Sequence, residues 1–185
     1  MFGDKGDDST VRSIFLLDDF SGSGISFIRK ENGVWDGKII SFLKRLEEYG
    51  ISLNQISIHI LLYVSTESAI YYIDDLLTKY VTDNNIDGNW TVNAIQIVGP
   101  IDCKEEFSNT LEKYYHQYSM NKIENNHYRK GNTDEPHMGF NNGRLPLVLY
   151  HNTPNNAFPI IWFNDSSSQE YNALFPRIDR HKGDT

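Results

Sequence analysis

Two adjacent carboxylates, Asp18 and Asp19, follow the apolar run Ile14–Leu17, and Ser21-Gly22-Ser23-Gly24-Ile25-Ser26 comes directly behind them. The two halves of this stretch suit different chemical groups. Carboxylates accept hydrogen bonds from hydroxyls and attract cations. Glycines and small serines leave backbone N–H groups uncovered, and the serines add hydroxyl donors, which is the chemistry of an anion cradle. A ligand fitting both halves carries a phosphate at one end and hydroxyls or a metal-bound group at the other, as a sugar phosphate does. The alternative reading is purely structural: the acids close a strand and the glycines make a turn.

Other phosphate motifs fit this stretch less well. A P-loop needs Lys followed by Ser or Thr after its glycines, and no such pair stands there. The dinucleotide fingerprint G-x-G-x-x-G would place its third glycine at Phe27, and its acid follows some twenty residues later, whereas here the acids come first. Haloacid-type phosphotransferases separate their two aspartates by one residue, and Asp18 and Asp19 are adjacent.

The elements that must position these groups are legible from apolar periodicity. Ile14–Leu17 reads as a short strand buried on both faces, ended by Asp18, so that the acids stand at the C-terminal sheet edge where open α/β folds bind ligands. A helix opening near Ile25 would put its positive end behind the loop. Residues 36–50 carry Ile39, Ile40, Phe42, Leu43 and Leu46 on one helical stripe, with Asp36 as candidate N-cap and Gly50 as stop. Residues 55–64 read as a second strand, 66–80 as a Thr-capped helix and 90–99 as a third strand. Asp102 and Glu105 have capping-box spacing ahead of a third helix whose stripe is Phe107, Leu111, Tyr114, Tyr115 and Tyr118. This alternation of strands and helices specifies crossover units, hence an α/β fold with a mostly parallel sheet flanked by helices. Residues 119–143 lack periodicity and are rich in Asn and Gly, a long loop. A final strand is expected over Leu147–Tyr150, followed by a turn at Pro154 and an apolar run.

The 185 residues, 39% hydrophobic, suit one domain spanning 1–185. The net charge of −8 argues against a broad grip on a nucleic-acid backbone. One cysteine, Cys103, excludes an internal disulfide and a Cys-based zinc site, and fits a reducing cytoplasm. No apolar run approaches a membrane span, and the start lacks the pattern of a signal peptide. The expected location is cytoplasmic, with no membrane partner.

A strand, two acids, and then Ser-Gly-x-Ser resembles the signature of phosphoribosyltransferases that use phosphoribosyl pyrophosphate (PRPP). The resemblance implies that Asp18 and Asp19 bind the ribose 2′ and 3′ hydroxyls, that Ser23, Gly24, Ile25 and Ser26 wrap the 5′-phosphate with Ser21 and Gly22 alongside, and that Mg²⁺ arrives with PRPP. Ile25 stands where many members carry glycine. The segments "MGFNNGRLPLVLYHNTPNNAFPIIWFN" and "YNALFPR" resemble the distal motif of the PRTase-CE group, associated with bacterial conflict and anti-phage systems. The implied function is a phosphoribosyltransferase-like protein that binds PRPP or a related sugar phosphate or nucleotide, as an effector or subunit of a defence system. The alternatives are a catalytically inactive ligand-sensing module and a protein- or RNA-interaction subunit. Thirteen residues precede Ile14, so the N-terminal strand and helix units and the pyrophosphate loop of the PRPP enzymes are expected to lie elsewhere in a longer protein of which this is the C-terminal part, to come from a partner protein chain that completes the site, or to be missing from a fold kept without activity.

In the distal segment His151, Asn152, Thr153, Asn155 and Asn156 offer donors and acceptors to a substrate, and Trp162 offers a stacking surface for a base. The same residues also have good turn chemistry, and Trp162 equally suits a core. The six histidines show no ligand spacing, so no protein metal site is assigned. Cys103 has no activating His nearby and does not read as a nucleophile. Lys122, Arg129, Lys130 and Arg144 form either a local basic patch or a solvated loop.

Overall fold

A computed structural model describes residues 12–54, 56–123, 134–164 and 171–176. The chain divides into two compact units, Met1–Ile97 and Val98–Thr185.

In the first unit, β1 (Ser13–Ser21), β4 (Ser57–Ser65) and β5 (Asn89–Ile97) form a parallel sheet in the order β1-β4-β5. Between β1 and β4 lie a short antiparallel hairpin, β2 (Arg29–Glu31) and β3 (Val34–Asp36), and helix α1 (Lys38–Glu48). Helix α2 (Glu67–Asp83) connects β4 to β5. Both crossovers step in the same direction across the sheet, so right-handed connections lay both helices on one face. That face holds the core. Ile58, Ile60 and Leu62 of β4 pack against Ile39, Ile40, Leu43 and Leu46 of α1 and Ile73, Leu77 and Tyr80 of α2. Each helix contributes one 3.6-residue stripe, as its sequence requires.

Helices on one face only explain a departure from the sequence reading. β1 is not buried on both sides: its side chains alternate, Ile14 and Leu16 toward the core, Phe15 (64% exposed) and Leu17 (72%) away from it. Tyr63, Ile95 and Ile97 are exposed with them. Nor does Asp18 end the strand, since pairing with β4 continues through Ser21↔Ser65. No helix opens at Ile25; the chain turns there, with the Phe27 and Ile28 N–H groups both donating to the Gly24 carbonyl, and enters the hairpin. The hairpin's two-residue turn is Asn32-Gly33, both at positive φ, a sequence signal the periodicity reading passed over. The N-cap of α1 is Gly37 rather than Asp36; Asp36 belongs to β3, and its carboxylate accepts the Gly37 N–H at 2.7 Å.

In the second unit, α3 (Glu105–Gln117) is capped by Lys104 without a side-chain bond, so the expected box at Asp102 and Glu105 does not form. Leu111 packs with Met138 and Phe158. The predicted long loop contains short 3₁₀ turns at Met120–Ile123, Pro136–Met138 and Phe140–Asn142, while its residues 124–133 lie outside the described residues. Leu147–Tyr150 is not a strand. Two isolated bridges, Leu145↔Ala157 and Leu149↔Asn152, replace it, because Leu149 and Asn152 close a tight turn on each other. A one-turn helix, α4 (Pro159–Trp162), completes the unit.

Candidate functional site

The loop after β1 is shaped by groups the protein itself buries. Ser65 Oγ donates to the Ser21 carbonyl (3.0 Å), and Thr66 Oγ1 donates to the Gly22 carbonyl (2.8 Å). Thr66 Oγ1 also caps α2 by accepting the Ala69 N–H at 3.1 Å. Its one proton lies on the Gly22 carbonyl, so Ser68 Oγ, 3.1 Å away, is the donor in their contact. The loop is thus fastened to the first turn of α2. Gly24 presses into the same place at φ +77, where a Cβ would lie 2.7 Å from the Tyr72 ring. The Gly24 N–H donates to the Ser21 hydroxyl at 3.2 Å, and Ser21 is buried.

This divides the sequence-predicted loop residues by role. Ser21 and Gly24 build the loop and point inward. Gly22, Ser23 and Ile25 are partly exposed and Ser26 is exposed, and among the described residues no protein acceptor takes their N–H groups. Four backbone donors and the hydroxyls of Ser23 and Ser26 therefore lack a protein partner among the described residues in a six-residue span, and are donors an anion could use. No helix opens at Ile25 itself.

Asp18 and Asp19 precede this loop on opposite faces of β1. Asp19 is exposed on the bare face. Asp18 is half-buried on the helix-covered face, where Lys38, the first residue of α1, forms an ion pair with it. The Asp19 N–H donates to Asp18 Oδ1 at 2.9 Å. Burial alone would raise the Asp18 carboxyl, but the Lys38 ammonium and this N–H outweigh it and hold the group below its ordinary value of 3.8. A depressed folded-state pKa contributes stability above the unfolded value, and that contribution is lost as pH falls through the folded value, hence below about pH 3.8. Lys38→Met removes the main opposing cause, so the Asp18 carboxyl moves upward. A carboxyl-carbon NMR titration of both proteins checks this, and an unmoved midpoint refutes the pairing.

Lys38 is the site residue that sequence reasoning missed. Twenty positions separate it from Asp18, and only the packing of α1 brings the two together. The one local hint is a basic residue at a helix start, where the dipole disfavours it unless an acid lies nearby.

The distal group lies in the second unit and is mostly structural. Asn156 is buried, its Nδ2 donating to the Phe140 carbonyl (3.0 Å), while the Asn155 carbonyl accepts the Phe140 N–H (2.7 Å). Thr153 Oγ1 donates to the Phe175 carbonyl (3.1 Å), and Asn152 Oδ1 accepts the Thr153 N–H (2.9 Å). A Cβ on Gly139 or Gly143 would come within 2.5 Å of the Asn156 carbonyl oxygen, so both glycines serve close backbone packing. His151 is exposed at the turn. Trp162 is core, its Nε1 donating to the Ala157 carbonyl at 3.0 Å.

His137 is buried beside Ser108 (3.3 Å), and burial lowers its pKa. Burial raises the Cys103 thiol, which argues against a nucleophile. Arg144 pairs with Glu135 at 3.4 Å instead of standing in an open basic patch; Arg129 and Lys130 lie outside the described residues. Among the described residues no cluster of three His, Cys, Asp or Glu could hold a metal, and no helix is long and apolar enough to cross a membrane.

A family model, PRTase-CE, matches residues 2–177. No curated protein and no solved structure matches the chain.

Proposed function

The chain belongs to the PRTase-CE family, and from that premise we propose that the loop after β1, with Asp18 and Asp19, binds a phosphorylated pentose of the PRPP class. The α/β, phosphoribosyltransferase-like architecture is the family's contribution to this reading. The observation that carries it is the set of four open N–H groups, at Gly22, Ser23, Ile25 and Ser26, directly behind two carboxylates. In this reading those N–H groups and the Ser23 and Ser26 hydroxyls take the 5′-phosphate. Asp19 and Asp18 accept hydrogen bonds from the ribose hydroxyls, with Ser21 and Gly24 holding the loop's shape.

Mg²⁺ fits the donor set, because this ion is usually held by one or two carboxylates together with substrate phosphates and keeps several waters. Asp19 would supply the protein carboxylate, since Asp18 lies on the opposite face of β1 and is paired with Lys38, and the bound ion would neutralise the pyrophosphate. Displacement at C1′ passes through an oxocarbenium-like state, so the side chains' work is to fix the sugar, stabilise charge and exclude water. In the second unit, the exposed His151 is a separate candidate for contact with a base or nucleotide.

A second reading is favoured by a separate observation. The sheet face opposite the core exposes Phe15, Leu17, Tyr63, Ile95 and Ile97, and β1 is one of the sheet's two edge strands among the described residues. An apolar face beside an unpaired edge suits a further polypeptide segment. A partner chain that completes the site, within a bacterial defence complex, is consistent with it. In that case this chain by itself senses the ligand without turning it over.

Calorimetry with PRPP and Mg²⁺ tests the binding. Asp18→Ala together with Asp19→Ala removes hydrogen bonds to charged acceptors worth about 1.5–3 kcal/mol each, so affinity falls by at least about a hundredfold. Equal binding by wild type and double variant refutes the site. Pyrophosphate release on incubation with bases or nucleotides separates a transferase from a sensor, and a phage-plating assay of the double variant checks the defence role.

A further inference from the structure

The proposed site carries an electrostatic conflict. Two carboxylates stand beside a loop built for an anion, and the open donors of that loop are uncharged. Bringing a phosphate close to Asp18 and Asp19 is repulsive unless a cation intervenes. Lys38 is placed to relieve this. Its own N–H donates to the Ser26 carbonyl at 3.1 Å and that of Ile39 to the Phe27 carbonyl at 3.0 Å, so the start of α1 is stapled to the far end of the loop. Gly37 makes this close approach possible: at φ +119, a Cβ there would lie 2.5 Å from the Phe27 oxygen. The backbone of Lys38 is therefore a fixed pivot at the loop's exit.

The side chain on that pivot is free to move. It is 59% exposed, passes over the Phe27 ring at 4.9 Å to the centroid, and ends on Asp18. An ion pair this open to water contributes little, about 0–1 kcal/mol. A phosphate offers the same ammonium more charge and more acceptor oxygens. Exchanging one partner for the other is thus favourable at small cost, on a flexible four-carbon stem.

We propose that Lys38 is an exchangeable counter-ion: it pairs with Asp18 in the free protein and transfers to the ligand's phosphate on binding, which releases the Asp18 carboxylate to a sugar hydroxyl. This rests on the sugar-phosphate reading of the loop and adds its order of events. Lys38 acts as a positioning residue for Asp18 and as a direct phosphate ligand, so that binding of the phosphate favours opening of the sugar subsite.

The test uses ribose 5-phosphate and unphosphorylated ribose as probes with wild type, Lys38→Met and Lys38→Arg, by calorimetry. The wild type is expected to favour ribose 5-phosphate strongly. Lys38→Met loses at least tenfold for ribose 5-phosphate and gains or holds for ribose, and Lys38→Arg restores most of the phosphate preference. Lysine side-chain NMR gives a readout that a merely structural role does not move. The Lys38 Cε and Nζ signals of wild type and Asp18→Asn differ when free, and converge once ribose 5-phosphate saturates both. A wild type that binds ribose 5-phosphate while Lys38→Met binds it equally or more tightly overturns this inference alone, as does a Lys38 signal unmoved by ligand. A wild type that binds no sugar phosphate overturns the site and this inference together.

Discussion

Gly24→Ala destabilises the first unit by about 2–5 kcal/mol and removes binding at the loop. Two independent causes add. At φ +77 an L-residue pays about 1–2 kcal/mol for its Cβ against the backbone. The new methyl also lands 2.7 Å from Tyr72 Cδ1, 3.0 Å from Ile73 Cγ1 and 3.1 Å from the Ala69 carbonyl oxygen, an overpacking worth about 1–3 kcal/mol. Gly33 supplies the control. It too has positive φ (+81), but a Cβ there meets nothing within 4 Å, so Gly33→Ala shows the conformational cost alone. Urea denaturation of the two variants separates the terms: the midpoint falls further for Gly24→Ala, with the slope unchanged. Equal midpoints would show that the loop does not press on α2.

Thr66→Val costs about 2–4 kcal/mol although it preserves shape. Thr66 is buried, and its hydroxyl serves the Gly22 carbonyl and the Ala69 N–H at once. Losing an N-cap costs about 1 kcal/mol, and leaving the part-buried Gly22 carbonyl unpaired about 1–3 kcal/mol more. Thr66→Ser keeps the hydroxyl and restores most of this. The same pair separates stability from function. The Gly22 carbonyl is one of the ties holding the loop in place, so the valine variant also binds PRPP more weakly under conditions where it remains folded. Thermal unfolding and calorimetry on both variants measure the two effects, and a valine variant as stable as the serine variant contradicts the clamp.

The parts of the fold that sequence expressed were those fixed by local periodicity. The stripe Ile39, Ile40, Leu43 and Leu46 marked α1, Thr66 marked the start of α2, and the order of strands and helices required parallel crossovers. Elements whose existence depends on partners were harder to read. Leu147–Tyr150 has a strand's composition but finds no neighbour to pair with along its length among the described residues, and Asp102 has capping spacing yet the chain approaches α3 through Lys104. In the distal group, turn residues and ligand residues have the same polar chemistry. Only the partners of Asn156 and Trp162 assigned both to the interior.

Sequence alone determined the chemical inventory of the candidate site: two acids followed by a small-residue loop, in a chain of net charge −8. That much follows from residue types and spacing, which are properties of the covalent chain. Tertiary structure decided which of those groups are available. It turned Ser21 and Gly24 inward, left the N–H groups of Gly22, Ser23, Ile25 and Ser26 open, sent Asp18 and Asp19 to opposite faces of β1, and brought Lys38 across twenty positions to Asp18. The reason is physical. A donor's availability depends on whether the fold has already satisfied it, and a charge's effect depends on what stands within a few ångströms, and neither is written in the order of residues.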